Sequence, residues 1–268
     1  MVRFVRFLHN GAPRYGVING AEVAVIEPHP FAEHRPTGET VDLADIRLLA
    51  PVIPSKIIGV GRSYADQTHR PGDVPISDLP LFLKPSSSVI GPGEAIRLPT
   101  DIAGDVHFEG ELAVVVGALL QRVGTEQAAA GILGYTCAND LTVWDTLQKE
   151  GPSLRAKAFD SFCPLGPAIT NDLDPSALAL TTSVDGEVRQ DGTTADLLVD
   201  VATMVSEISQ VMTLLPSDVI LTGTPAGTGP LQAGQRVRVE IEGIGALENP
   251  VVDRDADPGG PRSVNGSA

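Results

Sequence analysis

The sequence predicts a mostly β protein with a small number of helices. Short runs of Val, Ile and Leu recur along the chain, and such residues favour strands. The runs are separated by turn-forming residues, since the chain contains 28 Gly and 22 Pro. Its 268 residues, of which 42% are hydrophobic, are enough for one large domain with a small appendage.

The period of the hydrophobic residues places the individual elements. The pair Asn19-Gly20 marks a hairpin turn between two early strands. Helices are predicted over 123–133 and 197–213, where the pattern is helical. Strands are predicted, in chain order, over residues 2–8, 15–18, 22–26, 56–61, 81–83, 107–116, 134–138, 178–184, 219–221 and 236–242.

These elements divide the chain into two domains and a tail. Residues 1–52 are expected to form a small N-terminal β domain, and the prolines at 51 and 54 mark its end. Residues 53–253 form the larger domain, which carries all the candidate site residues. Residues 254–268 are rich in Asp, Pro, Gly and Ser, a composition that predicts disorder.

The composition excludes several classes of partner. A formal net charge of −15 repels phosphate backbones and anionic lipids, so we expect neither nucleic acid nor a membrane as a partner. No apolar run approaches the roughly 18 residues of a membrane span, and the N-terminus lacks the apolar stretch of a signal peptide. Cys137 and Cys163 lack metal-site spacing and are expected to be buried and reduced. We therefore predict a cytoplasmic protein.

Three acidic residues are candidates for a metal site. Glu109 and Glu111 lie two positions apart in the strand predicted over 107–116, so both carboxylates point to one face. Such neighbours repel each other unless a cation lies between them, although a solvated strand end is the alternative. Asp140, just after the strand over 134–138, could supply a third oxygen, and an all-oxygen set suits Mg²⁺ or Mn²⁺.

Other polar residues have two interpretations each. His107 shares the face of Glu109 and Glu111 and is either a further ligand or, as we favour, a structural histidine. Lys157 lies in an apolar segment, where its charge could neutralise a substrate carboxylate or a developing enolate, although a surface lysine is the commoner case. The loop 222–227 carries small residues whose N–H groups and hydroxyls can bind anions.

Taken together and in order, these segments resemble the fumarylacetoacetate hydrolase family. No single motif is specific, but the series covers most of the chain. The first 50 residues resemble the small N-terminal domain of some bacterial members. The matching stretches are Lys56-Ile57-Ile58-Gly59-Val60-Gly61-Arg62-Ser63-Tyr64-Ala65-Asp66, Phe82-Leu83-Lys84-Pro85, Val89-Ile90-Gly91-Pro92-Gly93, Phe108-Glu109-Gly110-Glu111-Leu112-Ala113-Val114-Val115, Gly134-Tyr135-Thr136, Ala138-Asn139-Asp140, Arg155-Ala156-Lys157-Ala158-Phe159-Asp160, Gly186-Glu187-Val188-Arg189-Gln190 and Val219-Ile220-Leu221-Thr222-Gly223-Thr224-Pro225-Ala226-Gly227.

This resemblance implies a fold that the residue patterns do not give, a distorted, mixed β-roll with an enclosed pocket that forms a homodimer. It also implies a metal triad of Glu109, Glu111 and Asp140 that binds Mg²⁺ or Mn²⁺, with Lys157 as a catalytic residue. The substrate-binding residues that it implies are Arg62, Tyr64, Gln190, Gly223 and Thr224.

The chain departs from the family where water activation is expected. Hydrolytic members commonly read Asn-Tyr-Ala-Asp-His with a Glu three residues later, whereas this chain has Gln67 at the histidine position and Arg70 at the glutamate position. Trp144 stands where an Arg is common. An amide cannot take a proton from water, so the water-activating pair is missing unless His69 replaces it as the catalytic base.

Several activities on a small oxo-acid substrate fit these residues. The leading hypothesis is Mg²⁺-dependent C–C bond cleavage in a 2-oxo or 1,3-diketo acid through a metal-bound enolate, as a decarboxylase or as a hydrolase. The alternative is enol–keto tautomerisation or isomerisation, which needs only the metal, Lys157 and modest proton transfer. A non-catalytic binding protein is the remaining alternative, and the three adjacent carboxylates argue against it. The substrate itself stays open, because the loop 65–80 shapes specificity.

Overall fold

The computed structural model describes residues 1–102 and 104–256, in which twenty strands and four α-helices form. The strands are β1 (Arg3–His9), β2 (Ala12–Asn19), β3 (Glu22–Glu27), β4 (Arg35–Asp42), β5 (Arg47–Leu49), β6 (Ile57–Val60), β7 (Leu81–Lys84), β8 (Val89–Ile90), β9 (Ile96–Leu98), β10 (Val106–Phe108), β11 (Gly110–Val116), β12 (Ile132–Asn139), β13 (Thr142–Val143), β14 (Cys163–Thr170), β15 (Ala179–Val184), β16 (Glu187–Thr193), β17 (Val219–Leu221), β18 (Gly229–Pro230), β19 (Arg236–Ile241) and β20 (Gly245–Asp253). The helices are α1 (Thr125–Ala130), α2 (Trp144–Glu150), α3 (Leu154–Lys157) and α4 (Val201–Val211).

A twelve-stranded sheet forms the body of the molecule, in the order β4-β3-β2-β1-β14-β12-β11-β17-β6-β7, with β5 beside β1 and β8 beside β14. A five-stranded sheet (β16-β15-β19-β20-β9) and a three-stranded sheet (β13-β10-β18) complete the fold. The pairing is mixed, because β17 pairs with β6 in parallel and with β11 in antiparallel orientation. The prediction of a mostly β, mixed architecture is confirmed.

The central strand β11 is buried on both faces along its whole length. Leu112 belongs to the same apolar cluster as Met204 and Ile208 of α4. The next residue, Ala113, points the other way and belongs, with Val115, to a second cluster that includes Phe4 of β1. Because side chains on both faces are packed, the start of β11 has little freedom to move.

The N-terminal strands form the small β unit that was predicted, and they also extend the main sheet. β1 pairs antiparallel with β14, with Arg3 opposite Thr170. The hairpin turn between β2 and β3 lies at Gly20 and Ala21, one position later than predicted, and Gly20 has a φ of +64° that suits glycine. The domain boundary at 52/53 stays a prediction.

The single strand predicted over 107–116 is wrong. The segment forms β10 and β11, which belong to different sheets and are separated by Glu109. At the separation the Glu109 carbonyl still accepts the Asp140 N–H, but the Glu109 N–H bonds to the Asn139 side chain instead of a strand carbonyl, so the regular ladder stops at this residue.

The helices are short. Of the helix predicted over 123–133, only the part that forms α1 is helical, because Gly131 ends it and Ile132 already belongs to β12. The helix predicted over 197–213 is α4, which begins after Asp200, whose side chain accepts the Thr203 N–H. Within the part of the chain that the structure describes, no helix is long and apolar enough to cross a membrane.

The C-terminal tail is described only at its start. Residues Arg254–Ala256 form a short 3₁₀ turn, which differs from the disorder predicted from residue 254 onward. The remainder of the predicted disordered tail, 257–268, lies outside the described residues.

Candidate active site

Two neighbouring strands bring the three predicted acidic residues together. Gly110, between Glu109 and Glu111, lies opposite Asn139 in the antiparallel pair of β11 and β12, and Asp140 follows directly. All three acidic residues are buried, and their carboxylate oxygens lie within 4.8 Å of one another. These three residues are called the acidic group below.

Backbone hydrogen bonds fix the position of each acidic residue. The Glu109 N–H donates to Asn139 Oδ1 (3.0 Å), and the Asp140 N–H donates to the Glu109 carbonyl (2.8 Å). The Gly223 N–H donates to Glu111 Oε2 (2.7 Å). Gly223 has a φ of +95°, and a Cβ at this position would lie 1.8 Å from a neighbouring hydroxyl, so the donor can approach Glu111 only as glycine.

Lys157 lies directly against the acidic group. Its Nζ donates to Glu109 Oε2 (2.7 Å) and to Asp140 Oδ2 (2.5 Å). The same Nζ lies 4.8 Å from the centre of the Phe82 ring, within the range of a cation–π contact. The residue is the last of α3 and is buried, so the alternative of a surface lysine is wrong.

The charges of this cluster do not balance, since three carboxylates face the ammonium groups of Lys157 and Lys84. Burial and the charges of Asp140 and Glu109 raise the pKa of Glu111 well above its usual value. Burial also raises the pKa of Glu109, against the opposing effect of Lys157. Burial acts on Asp140 in the same sense, but the two lysines outweigh it and lower its pKa. Burial would lower the pKa of Lys157, but the Asp140 and Glu109 carboxylates outweigh it and raise the pKa, so the amine is protonated at neutral pH.

This set of donors fits a divalent cation. Its oxygens are close enough to meet on one ion, and an added positive charge would relieve the repulsion that raises the pKa of Glu111. Within the described residues, neither His nor Cys belongs to the cluster. Oxygen-only ligands favour a hard ion such as Mg²⁺ or Mn²⁺.

A cavity of about 730 Å³ opens beside the acidic group, a size that suits a small molecule. Among the predicted substrate-binding residues, Arg62, Gly223 and Thr224 line it. Lys157 and the three acidic residues line it as well. Much of the remaining wall is apolar, and it is formed by Val60, Leu79, Pro80, Phe82, Trp144, Leu147 and Pro152. A larger groove of about 850 Å³ is lined by none of the predicted site residues.

Two other predicted substrate-binding residues do not line this cavity. Tyr64 packs in the core, and its buried hydroxyl has no hydrogen-bond partner among the residues described. Gln190 is fully buried behind Gly110, and both ends of its amide bond to protein groups, including Thr224. Neither residue is among those that line the cavity, and their contact with a substrate stays a prediction.

His69 lies outside the cavity as well. It is on an exposed loop with 51% of its side chain accessible, and its Nδ1 lies 2.8 Å from Thr68 Oγ1. Gln67 and Arg70 lie on the same loop and are also exposed. The structure thus does not bring the predicted catalytic base to the acidic group.

His107 and Trp144 stack against each other, with ring centres 4.7 Å apart and an angle of 6° between the planes. Trp144 lines the cavity, whereas His107 does not. The break at Glu109 ends the strand that would have placed His107 on the same face as the acidic residues. The structural interpretation of His107 fits this position.

Lys84 is a site residue that the sequence reasoning missed. Its Nζ lies 2.6 Å from Asp140 Oδ1 and donates to the Leu141 carbonyl (3.2 Å) and the Lys157 carbonyl (2.5 Å). The ammonium thus makes two hydrogen bonds and one ion pair, and its side chain is fully buried. It therefore holds Asp140 and the segment carrying Lys157 in one position.

We expect Lys84→Met to destabilise the metal-free protein by about 3–5 kcal/mol, the usual cost of removing one partner of a buried ion pair. The loss arises because Asp140 keeps its buried charge while two buried carbonyls lose their donor. Urea denaturation in the presence of a chelator measures the effect. Lys149→Met, at an exposed position, is the matched control, and equal unfolding midpoints in the two variants would refute the role given to Lys84.

Two family models match the chain. The model described as "Fumarylacetoacetate (FAA) hydrolase C-terminal" matches residues 56–252. The model described as "Rv2993c-like, N-terminal" matches residues 2–51. The second match covers the N-terminal strands of the main sheet, and the first match covers its remaining strands.

Curated relatives share a large part of the sequence. Protein Rv2993c of Mycobacterium tuberculosis is 49% identical over 230 residues, which are 85% of this chain and 86% of that protein. Oxaloacetate tautomerase YcgM of Escherichia coli is 40% identical over 196 residues, which are 70% of this chain and 89% of that protein.

Solved structures share the fold. A structure titled 2-hydroxyhepta-2,4-diene-1,7-dioate isomerase from Mycobacterium marinum has a TM-score of 0.88 and 43% identity, and the match covers 95% of this chain and 100% of that chain. A structure of maleylpyruvate hydrolase from Sphingobium sp. SYK-6 with manganese(II) and pyruvate has a TM-score of 0.78 and 31% identity, and the match covers 94% of this chain and 99% of that chain.

Proposed function

The chain belongs to the fumarylacetoacetate hydrolase family, and from that premise we propose that it is a divalent-metal-dependent enzyme that interconverts the enol and keto forms of a small 2-oxo acid. The observation that carries this proposal is the make-up of the cavity. It combines the acidic group with the Lys157 ammonium, while the loop histidine His69 lies outside it. Such a site can stabilise an enolate, but no histidine is among the described residues that line it, so the usual base for activating water is not present there.

The acidic residues would hold the cation, and the other residues would bind and orient the acid. When bound, the divalent cation supplies a Lewis acid that polarises the oxygens of the 2-oxo acid. Lys157 keeps its proton on Nζ and presents a positive charge to the oxygen that becomes negative in the enolate. Arg62, Gly223 and Thr224 line the same cavity. Because Glu111 accepts the Gly223 N–H and the Gly110 carbonyl accepts the Thr224 hydroxyl, the Arg62 guanidinium and the Thr224 N–H are the candidates for binding the substrate carboxylates.

The named relatives support this choice of reaction. The E. coli relative is called an oxaloacetate tautomerase, and the M. marinum structure is titled an isomerase. A tautomerase and an isomerase rearrange a substrate without cleaving its carbon skeleton. The reaction needs stabilisation of the enolate charge, which the cation and Lys157 would supply, while the enol oxygen would release its proton to solvent water and the neighbouring carbon would take one from it.

The decisive assay follows the loss of enol absorbance of oxaloacetate with purified protein and Mn²⁺, while pyruvate release is measured in the same samples. We expect enol–keto conversion to exceed the buffer rate and to be faster than pyruvate formation. Enol–keto conversion at the buffer rate, together with rapid pyruvate release, would show that the protein is a decarboxylase and not a tautomerase.

A second candidate is C–C bond cleavage through the same enolate, either decarboxylation or hydrolysis. It is favoured by the structural similarity to maleylpyruvate hydrolase, whose structure contains manganese(II) and pyruvate. Decarboxylation would use the same charges as tautomerisation. Hydrolysis would in addition need a base to remove a proton from water.

We expect slow hydrolysis of acetylpyruvate by the wild type, because a positioned general base typically contributes about 10²–10⁴-fold to such a reaction. His69→Ala should leave this slow rate nearly unchanged, since His69 is exposed on its loop. Gln67→His combined with Arg70→Glu should also leave hydrolysis slow, because both positions are exposed on the same loop and do not line the cavity, and oxaloacetate tautomerisation measured in parallel serves as the control. Rapid wild-type hydrolysis that collapses in His69→Ala would instead identify His69 as the base.

Assembly and location complete the proposal. We propose a homodimer, as the family resemblance implies, and light scattering at micromolar concentration measures the mass. The predicted cytoplasmic location stays a prediction.

A further inference from the structure

We propose that Gln190 is a positioning residue that sets the spacing of the Glu109 and Glu111 carboxylates, by holding both peptide groups of Gly110 between them. The inference rests on the proposed function in one respect, that the acidic group binds a divalent cation. It assigns Gln190 no contact with the substrate.

Gln190 lies in β16 and links the five-stranded sheet to the start of β11. Its Oε1 accepts the Gly110 N–H (3.0 Å), and its Nε2 donates to Thr224 Oγ1 (2.7 Å) and to the Pro225 carbonyl (2.8 Å). The side chain is fully buried, and both of its N–H groups are used. The amide is therefore held at each end by a different segment of the chain.

These contacts form a closed ring of hydrogen bonds, in which Gly110 donates to Gln190, Gln190 donates to Thr224, and Thr224 donates back to Gly110. Thr224 Oγ1 donates to the Gly110 carbonyl (2.8 Å) and accepts from Gln190 Nε2. Because a hydroxyl has a single hydrogen, this donation requires the Gln190 NH₂ group to face Thr224 and its oxygen to face the Gly110 N–H. Only one orientation of the amide satisfies all three residues.

The ring controls the two peptide groups on which the acidic side chains depend. The N–H of Gly110 belongs to the peptide group shared with Glu109, and its carbonyl belongs to the peptide group shared with Glu111. A rotation of either group would turn the adjoining carboxylate. The backbone also has no free space here, because a Cβ on Gly110 would lie 2.0 Å from Thr182 Oγ1 and 3.3 Å from Val239 Cγ1.

A purely structural role for Gln190 makes a different prediction. If the amide only satisfied buried polar groups, its loss would lower stability and leave the affinity of the folded protein for a cation unchanged. If it positions the carboxylates, the cation affinity must fall as well. Loss of a group that orients metal ligands typically weakens metal binding by about 10–100-fold.

The test measures Mn²⁺ binding to the chelator-treated full-length protein by titration calorimetry, with electron paramagnetic resonance of free Mn²⁺ as a second readout. The variants are Gln190→Met and Thr224→Val, each of which breaks the ring at one point. Thr182→Val is the matched control, since the Thr182 hydroxyl is buried beside Gly110 but has no hydrogen-bond partner among the described residues.

We expect the Mn²⁺ Kd to rise by about 10–100-fold in both ring variants and to change by less than about threefold in the control. The double variant should bind Mn²⁺ about as weakly as each single one, because one break already opens the ring. Thr224→Ser should restore the affinity. If Gln190→Met does not fold, Thr224→Val and Thr224→Ser decide the question.

Two outcomes would overturn the inference, and they are distinguishable. Equal Mn²⁺ affinity in the wild type and in all ring variants would refute the positioning role alone. Absence of Mn²⁺ binding in the wild type would refute the metal site and with it the proposed function.

Discussion

We expect Glu111→Gln to abolish Mn²⁺ binding, to lower turnover by about 10³-fold or more, and yet to stabilise the metal-free protein. A bound cation contributes several kcal/mol to charge stabilisation in the transition state, and each 1.36 kcal/mol corresponds to tenfold in rate. The stability gain follows from the raised pKa of Glu111, since a carboxyl whose pKa is raised by folding opposes folding when it is charged. The neutral amide oxygen can still accept the Gly223 N–H.

Calorimetric Mn²⁺ titration, steady-state turnover and urea denaturation in chelator measure the three effects. Glu207→Gln, at an exposed position on α4, is the control and should change none of them. Full activity of the wild type in excess chelator, or unchanged Mn²⁺ affinity in Glu111→Gln, would show that the acidic group is not the metal site.

Lys157→Ala should lower kcat by about 10²–10³-fold, which is the usual effect of losing one group that stabilises a developing oxyanion. Its Mn²⁺ affinity should be retained or increased, because Glu109 and Asp140 lose the ammonium that partly neutralises them. The combination of tighter metal binding and slower turnover separates a catalytic role from a role in holding the cation.

The measurement is steady-state turnover at saturating Mn²⁺, together with Mn²⁺ titration of the same preparation. Lys149→Ala is the control, since this lysine is exposed and does not line the cavity. A wild-type kcat in Lys157→Ala would mean that the lysine only balances the charge of the acidic group.

The order of motifs along the chain was sufficient to find the family, because many short segments matched in sequence. The three acidic residues could also be grouped in this way. Their geometry could not be predicted from the sequence. The alternation in 107–116 suggested one continuous strand, whereas the strand is interrupted at Glu109. At that break the Glu109 N–H bonds to the side chain of Asn139, thirty positions away, which no local pattern reveals.

Lys84 was missed for a related reason. In β7 the leucines at 81 and 83 are exposed, while Phe82 and Lys84 are buried. Hydrophobicity alone predicts that the leucines face inward and the lysine outward, which is the opposite of the arrangement in the structure. The buried face is set by Asp140 and Lys157, because their carboxylate and carbonyl bind the ammonium that hydrophobicity would assign to water.

The parallel pairing of β6 with β17 places Ile57 beside Val219, and the loop after β17 supplies the Gly223 N–H to Glu111. During synthesis on the ribosome, the acidic group is therefore made well before the segment that completes its surroundings. Pairing between strands so distant in sequence is slow, because the entropy of closing the long loop is lost before the contacts form. If the acidic group is the metal site, as proposed, capture of a cation would thus be a late event in the biogenesis of this chain. A nascent chain that stops before β17 lacks a finished site even though it already contains all three carboxylates and both lysines.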